Sequence, residues 1–192
     1  MKSIATHINE KLQLNRNRVK KYEYQPKTKD ELVKIINNIT KQHEHDEVIN
    51  LNMIDTSKIT DMSFLFMDNK HNYNISEWDV SNVKNMTSMF SKSDFNQDIS
   101  QWNVSNVCYM TCMFFDSKFN QDISDWDVSN VTSMDRMFTK SKFNQDINNW
   151  DVSNVRDMYF MFESSSFDKN LISWKDKIKD KKQLRYIEDY IK

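Results

Sequence analysis

The tryptophans of this chain fall at Trp78, Trp102, Trp126, Trp150 and Trp174, each 24 residues after the last. No other feature restricts the fold as strongly. Phe95, Phe119, Phe143 and Phe167 keep the same step, and so do Met62, Met86, Met110, Met134 and Met158. Around them one phrase recurs: FNQDISQWNVSNV from Phe95, FNQDISDWDVSNV from Phe119 and FNQDINNWDVSNV from Phe143. A fixed period of roughly 20–50 residues marks a stacked array. One short coil cannot bury its own apolar edge, so identical coils stack Trp on Trp, Met on Met and Phe on Phe to close a common core.

Within a repeat, Trp102 and Val104 alternate with polar residues as in a short strand, while Val107, Met110, Met113 and Phe114 are spaced by three and four. The pattern predicts an α/β, leucine-rich-repeat-like solenoid of about five coils, a short strand plus a short helix in each. Residues 51–174 form the repeat array in this reading. Residues 25–50 supply an N-terminal cap helix: Thr28-Lys29-Asp30-Glu31 has capping-box form, and Leu32, Ile35, Ile36 and Ile39 make one apolar stripe from Lys29 to about Gln42. Residues 175–192 close the stack with a helix carrying Leu184, Ile187 and Ile191. Residues 1–24 are a polar segment with Ile4, Ile8 and Leu12 at helical spacing.

Composition removes several functions. The 192 residues hold 27 basic and 28 acidic side chains, a balance unlike that of a dedicated nucleic-acid binder. Charge is uneven, with 14 acidic and 8 basic residues between positions 72 and 174. Glycine is absent, which excludes Gly-rich phosphate loops and leaves positive-φ turns to Asn or Asp. No run of apolar residues is long enough to span a membrane. Met1–Arg18 lacks the apolar core of a signal peptide, so the expectation is an intracellular or virus-associated protein unless another route exports it. Cys108 and Cys112 are the only cysteines, with no histidine near them in sequence, and no metal or other cofactor is expected.

The motif DISxWDVSNVxxMxxMF, followed after a spacer by FNQ, resembles the BspA-like leucine-rich-repeat proteins, specifically the DUF285 repeat. The lead-in YQPKTKDELVKIINNI and IDTSKITDMSFLF is similar to the cap that opens such arrays. The resemblance covers about Tyr24 to Trp174. It implies a non-enzymatic, curved scaffold, with surface proteins and adhesins of bacteria among its members and relatives in viruses. Asn82, Asn106, Asn130 and Asn154 stand one place before the usual asparagine of a leucine-rich repeat.

Two kinds of position follow from the repeat. Trp78, Trp102, Trp126 and Trp150, Phe95, Phe119 and Phe143, and Met86, Met110 and Met134 are the core ladder. Glu77, Gln101, Asp125 and Asn149 vary inside a fixed frame, and Asp79, Asn103, Asp127 and Asp151 lie beside them. Side chains alternate along an extended segment, so these eight point away from the core and form the candidate partner-binding face. The partner expected there is a protein, cationic where it meets the acidic columns. Asp98, Asp122 and Asp146 form a further column, expected to accept backbone N–H bonds at turns, with calcium as the alternative ligand. The recurring serines suit turn hydrogen bonds, and no singular constellation suggests an enzyme.

Overall fold

The computed structural model describes residues 22–191. The predicted helix spacing at Ile4, Ile8 and Leu12 lies outside them. The stack opens with helix α1, Lys29–Gln42, whose N-cap Thr28 accepts the Glu31 N–H in its hydroxyl while Lys27 N–H donates to the Glu31 carboxylate. Leu32, Ile36 and Ile39 on one face of α1 are buried. Strands β1 (Ile49–Asn50) and β2 (Tyr73–Asn74) pair in parallel, and Tyr24 bridges Ile54. The chain ends in two one-turn helices, α2 (Trp174–Lys177) and α3 (Lys181–Leu184), and a 3₁₀ turn at Glu188–Tyr190. The closing segment is thus broken, where one continuous helix is the expectation. Ile187 is fully buried and Leu184 and Ile191 are partly so, which reproduces the apolar stripe without one continuous helix to carry it.

Between β2 and α2 lies a regular repeat arrangement with little regular secondary structure. Parallel bridges join Asp61, Asn85, Tyr109, Ser133 and Asp157 in one row, each 24 residues from the next. The strand-plus-helix expectation for each repeat is not met. The segment read as helical carries the inter-repeat ladder instead. In the second repeat the N–H groups of Met86, Ser88, Phe90 and Lys92 donate to the carbonyls of Tyr109, Thr111, Met113 and Phe115 at 2.7–2.9 Å. The alternate N–H groups, of Met89, Ser91 and Ser93, turn back to Met86, Ser88 and Phe90 at 3.2 Å. Every second donor therefore reaches the next repeat, and the others close three-residue turns. Buried backbone groups require such partners, and here turns and ladder share them.

These turns explain the misread period. Successive i→i−3 turns bring residues three and four apart to the same side, as a helix does. They also set the left-handed positions. Ser88 and Lys92 have φ of 54° and 56°, and the same two places recur at Cys112 and Asp116 and at Arg136 and Lys140. A turn with positive φ at its third residue ordinarily takes Gly or Asn. Only Asp68 and Asp116 among the ten described residues with positive φ fit the expectation of Asn or Asp. Ladder bonds on either side hold the others there against a cost of about 1–2 kcal/mol each.

The core is a set of columns. Phe66, Phe90, Phe114, Phe138 and Phe162 stack at centroid separations of 5.6–5.8 Å. Phe95, Phe119, Phe143 and Phe167 form a second stack at 6.2–6.3 Å. The methionines of both inner columns, Met86, Met110 and Met134 among them, are fully buried. Each tryptophan is at most 4 % exposed. Its indole N–H crosses to the preceding repeat: Trp78 donates to the Leu51 carbonyl, Trp102 to Ile75, Trp126 to Ile99, Trp150 to Ile123 and Trp174 to Ile147, at 3.0–3.2 Å.

Candidate functional site

The outward residues beside the tryptophans sit in a chain of Asx turns. Asp79, Asn103, Asp127 and Asp151 accept, in Oδ1, the N–H of the serine two places on, at 3.0–3.2 Å. Asp98, Asp122 and Asp146 do the same for Ser100, Ser124 and Asn148 at 2.8–2.9 Å. Short polar side chains can replace a backbone acceptor in this way. The N–H of Ser100 holds the Asp98 carboxyl below the usual carboxylate range, and Ser124 and Ser153 do so for Asp122 and Asp151. Stacked carboxylates are thus each tied to a donor of their own repeat. Among the described residues, no group of three or more His, Cys, Asp or Glu side chains is placed to hold a metal ion.

Neighbouring repeats are also stitched on this face. Nδ2 of Asn82, Asn106, Asn130 and Asn154 donates to the carbonyls of Ser57, Ser81, Ser105 and Ser129 at 2.7–2.8 Å. Sequence reasoning placed these asparagines one position off a known pattern and missed this ladder. Its signal was available, because an invariant amide beside a varied column has a partner at a fixed distance.

All eight predicted partner-binding residues are exposed: Glu77, Asp79, Gln101, Asn103, Asp125, Asp127, Asn149 and Asp151. The structure divides them by duty. The Asp79 column is engaged in its turns. In the variable column, Asn149 donates to the Ser124 carbonyl, and Gln101 makes one long contact with Ser100 at 3.4 Å. Two shallow polar grooves run along this column. One, of about 240 Å³, has Asp98, Gln101, Gln121, Asp122 and Asp125 in its wall. The other, of about 340 Å³, has Asp122, Gln145, Asp146 and Asn149. Asp122 stands between the two, so both grooves are acidic.

The cysteines do not join this face. Cys108 and Cys112 are free and half-buried, and burial with the nearby Asp135 carboxylate pushes the Cys112 thiol up, away from the reactive thiolate.

The repeat geometry meets a family model at this point. The model described as "Mycoplasma protein of unknown function, DUF285" matches residues 34–118 and 113–187. The chain belongs to the DUF285 family. The DUF285 match takes in α1 from residue 34 onward, every tryptophan of the column, α2 and α3. No curated protein and no solved structure matches the chain. Among the described residues, no helix of this DUF285 protein is long and apolar enough to cross a membrane.

Proposed function

We propose that the 24-residue stack is a solenoid-type, non-enzymatic scaffold that recognises a protein partner through its acidic outer face, the adhesin-like role implied by the resemblance to BspA-like proteins. One observation carries this reading. The two acidic grooves open along Gln101, Asp125 and Asn149 of the column that Glu77 begins, where residue type varies while the surrounding turns stay constant. A rigid frame with a varied row is how repeat proteins present a binding surface. The complementary partner carries Lys or Arg, which steers association and makes it sensitive to salt. The test uses Glu77→Lys with Asp125→Lys, which spare the turn-holding Asp79 and Asp127. A partner captured by the native chain and lost by this variant, with an unchanged circular dichroism spectrum, supports the reading. Retention by the variant rejects it.

A second reading, a structural component of a viral particle or cell-envelope assembly, is favoured by a different observation. Of the exposed large apolar side chains among the described residues, Val48, Phe64 and Met67 lie at the start of the stack and Tyr159, Phe160 and Ile172 at its end, with only Tyr109 between. Such residues favour end-to-end contacts. Concentration-dependent sedimentation that Phe64→Ser and Phe160→Ser abolish would select this reading over the first.

A further inference from the structure

Away from the acidic face, two columns of surface residues alternate in charge. One runs Asp68, Lys92, Asp116, Lys140 and Ser164, and the other Lys70, Asp94, Lys118, Lys142 and Ser166. Through three repeats each level holds one aspartate and one lysine, with their places exchanged from level to level. The pairing is physical at Asp94, whose carboxylate lies 3.4 Å from Lys70 Nζ and 2.9 Å from Lys118 Nζ. The fourth level breaks the rule with Lys140 and Lys142 together. Among the described residues neither makes an ion pair within 4.0 Å, and Glu163 offers Lys140 only its backbone carbonyl. A groove of about 410 Å³ runs along both columns and contains both lysines. Its lining holds five lysines against three aspartates, an excess of two positive charges in an otherwise acidic segment.

A second, independent feature lies in the same groove. Ser93, Ser117, Ser141 and Ser165 form one column behind the lysines. Ser93 and Ser165 donate their hydroxyls to the carbonyls of Phe90 and Phe162, and Ser141 accepts the Phe143 N–H. Ser117 is 2 % exposed, lines the groove, and its Oγ has no hydrogen-bond partner. A buried hydroxyl without a partner is costly, and a rotation about its Cα–Cβ bond towards the groove would let a ligand oxygen satisfy it.

We infer that Lys140, Lys142 and the Ser117 hydroxyl form a binding site for a phosphate-type oxyanion. Two ammonium groups two residues apart repel until an anion lies between them. Lys118, already shared with Asp94, borders the site, and Asp116 limits it to one small anion. The aspartates of the lower levels, Asp116 nearest among them, would repel a long polyanion, which confines a ligand to the end of the groove at Lys140 and Lys142.

Titration with inorganic phosphate, followed by phosphorus NMR and calorimetry on the full chain, tests this. The native protein is expected to show saturable binding by about 10 mM, and Lys140→Met with Lys142→Met to weaken it at least about tenfold. Ser117→Ala should weaken it about threefold, while Lys70→Met leaves it unchanged. Thermal melts establish that each variant folds. O-phosphoserine is titrated in parallel. Tighter binding of the ester assigns the site to a phosphoryl group carried on a ligand, and tighter binding of the free ion to phosphate itself. No saturable binding of either, or equal binding in the double lysine variant, overturns the inference.

Discussion

Each tryptophan in the column fills core volume and spans two repeats with its indole N–H. Replacing Trp126 by Phe keeps an aromatic ring but removes the donor that crosses to the buried Ile99 carbonyl at 3.2 Å, leaving that carbonyl only the Trp102 N–H of its own repeat. The expected cost is about 2–3 kcal/mol from the lost bond and the space left behind, read as a lower urea midpoint. A cost near zero would mean that the ring alone matters. Asp135 is the opposite case. Its Oδ1 is buried without a partner, and burial raises its carboxyl above the ordinary range. A carboxyl raised in the folded state favours its proton there, so its charge opposes folding at neutral pH, and that penalty is relieved as pH falls through the raised value. Asp135→Asn should therefore stabilise at pH 7, by up to about 1 kcal/mol, with the gain vanishing below about pH 4 in urea melts at several pH values. The Asx aspartates Asp98 and Asp122 behave in the reverse sense, contributing at neutral pH and losing that contribution as pH falls through their depressed values. At this scale the sequence announces its core well, because the strict 24-residue step of Trp, Phe and Met has no other physical reading. It conceals the left-handed residues. Ser88, Lys92 and Arg136 carry no conformational signature of their own, and the ladder imposes φ on them.

At the level of elements, inward and outward alternation around Trp102 and Val104 is legible, and the structure buries both while exposing Gln101 and Asn103. Period alone does not reveal that this stretch is a run of turns rather than a strand, nor that Val107 to Phe114 forms a ladder rather than a helix. Turns closing every three residues imitate helical spacing, and only the partner repeat tells them apart. The closing segment shows the same dependence on context. In the inner repeats the N–H of Met86, Met110 and Met134 each finds the carbonyl of the next repeat. Met158 has no such neighbour, and the buried Gln183 side chain supplies its Oε1 at 3.2 Å instead. Lys177 Nζ donates to the carbonyls of Asn149 and Trp150, and Ser173 Oγ donates to that of Asn148. The cap thus imitates a missing repeat with side chains. Gln183→Leu, similar in volume but unable to accept, should destabilise by about 1–3 kcal/mol. Hydrogen exchange should show the loss concentrated at the Met158 amide, and an unchanged rate there would contradict the role given to Gln183.

Over the whole molecule, one rule of spacing joins backbone ladder, tryptophan bridges, asparagine stitching and phenylalanine stacks. Each of these contacts reaches a partner 23–27 residues away in a neighbouring repeat, so none survives a change of register. Stability in such a stack is a sum over repeats and the interfaces between them. The candidate faces were only partly legible at this scale. The acidic row at Glu77, Gln101, Asp125 and Asn149 stands out as variation within a frame, whereas the lysine pair at Lys140 and Lys142 emerges only when residues 24 apart are stacked and their charges compared. The measurement that tests the stacking rule most directly is removal of one repeat. Deleting residues 99–122 excises 24 residues and rejoins Asp98 to Ile123 in register. This protein should retain the native circular dichroism spectrum and unfold cooperatively in urea at a lower midpoint. Deleting residues 100–122, one residue fewer, should abolish cooperative unfolding. If both deletions fold equally well, or if the in-register deletion fails to fold, the 24-residue stack is not what holds this molecule together.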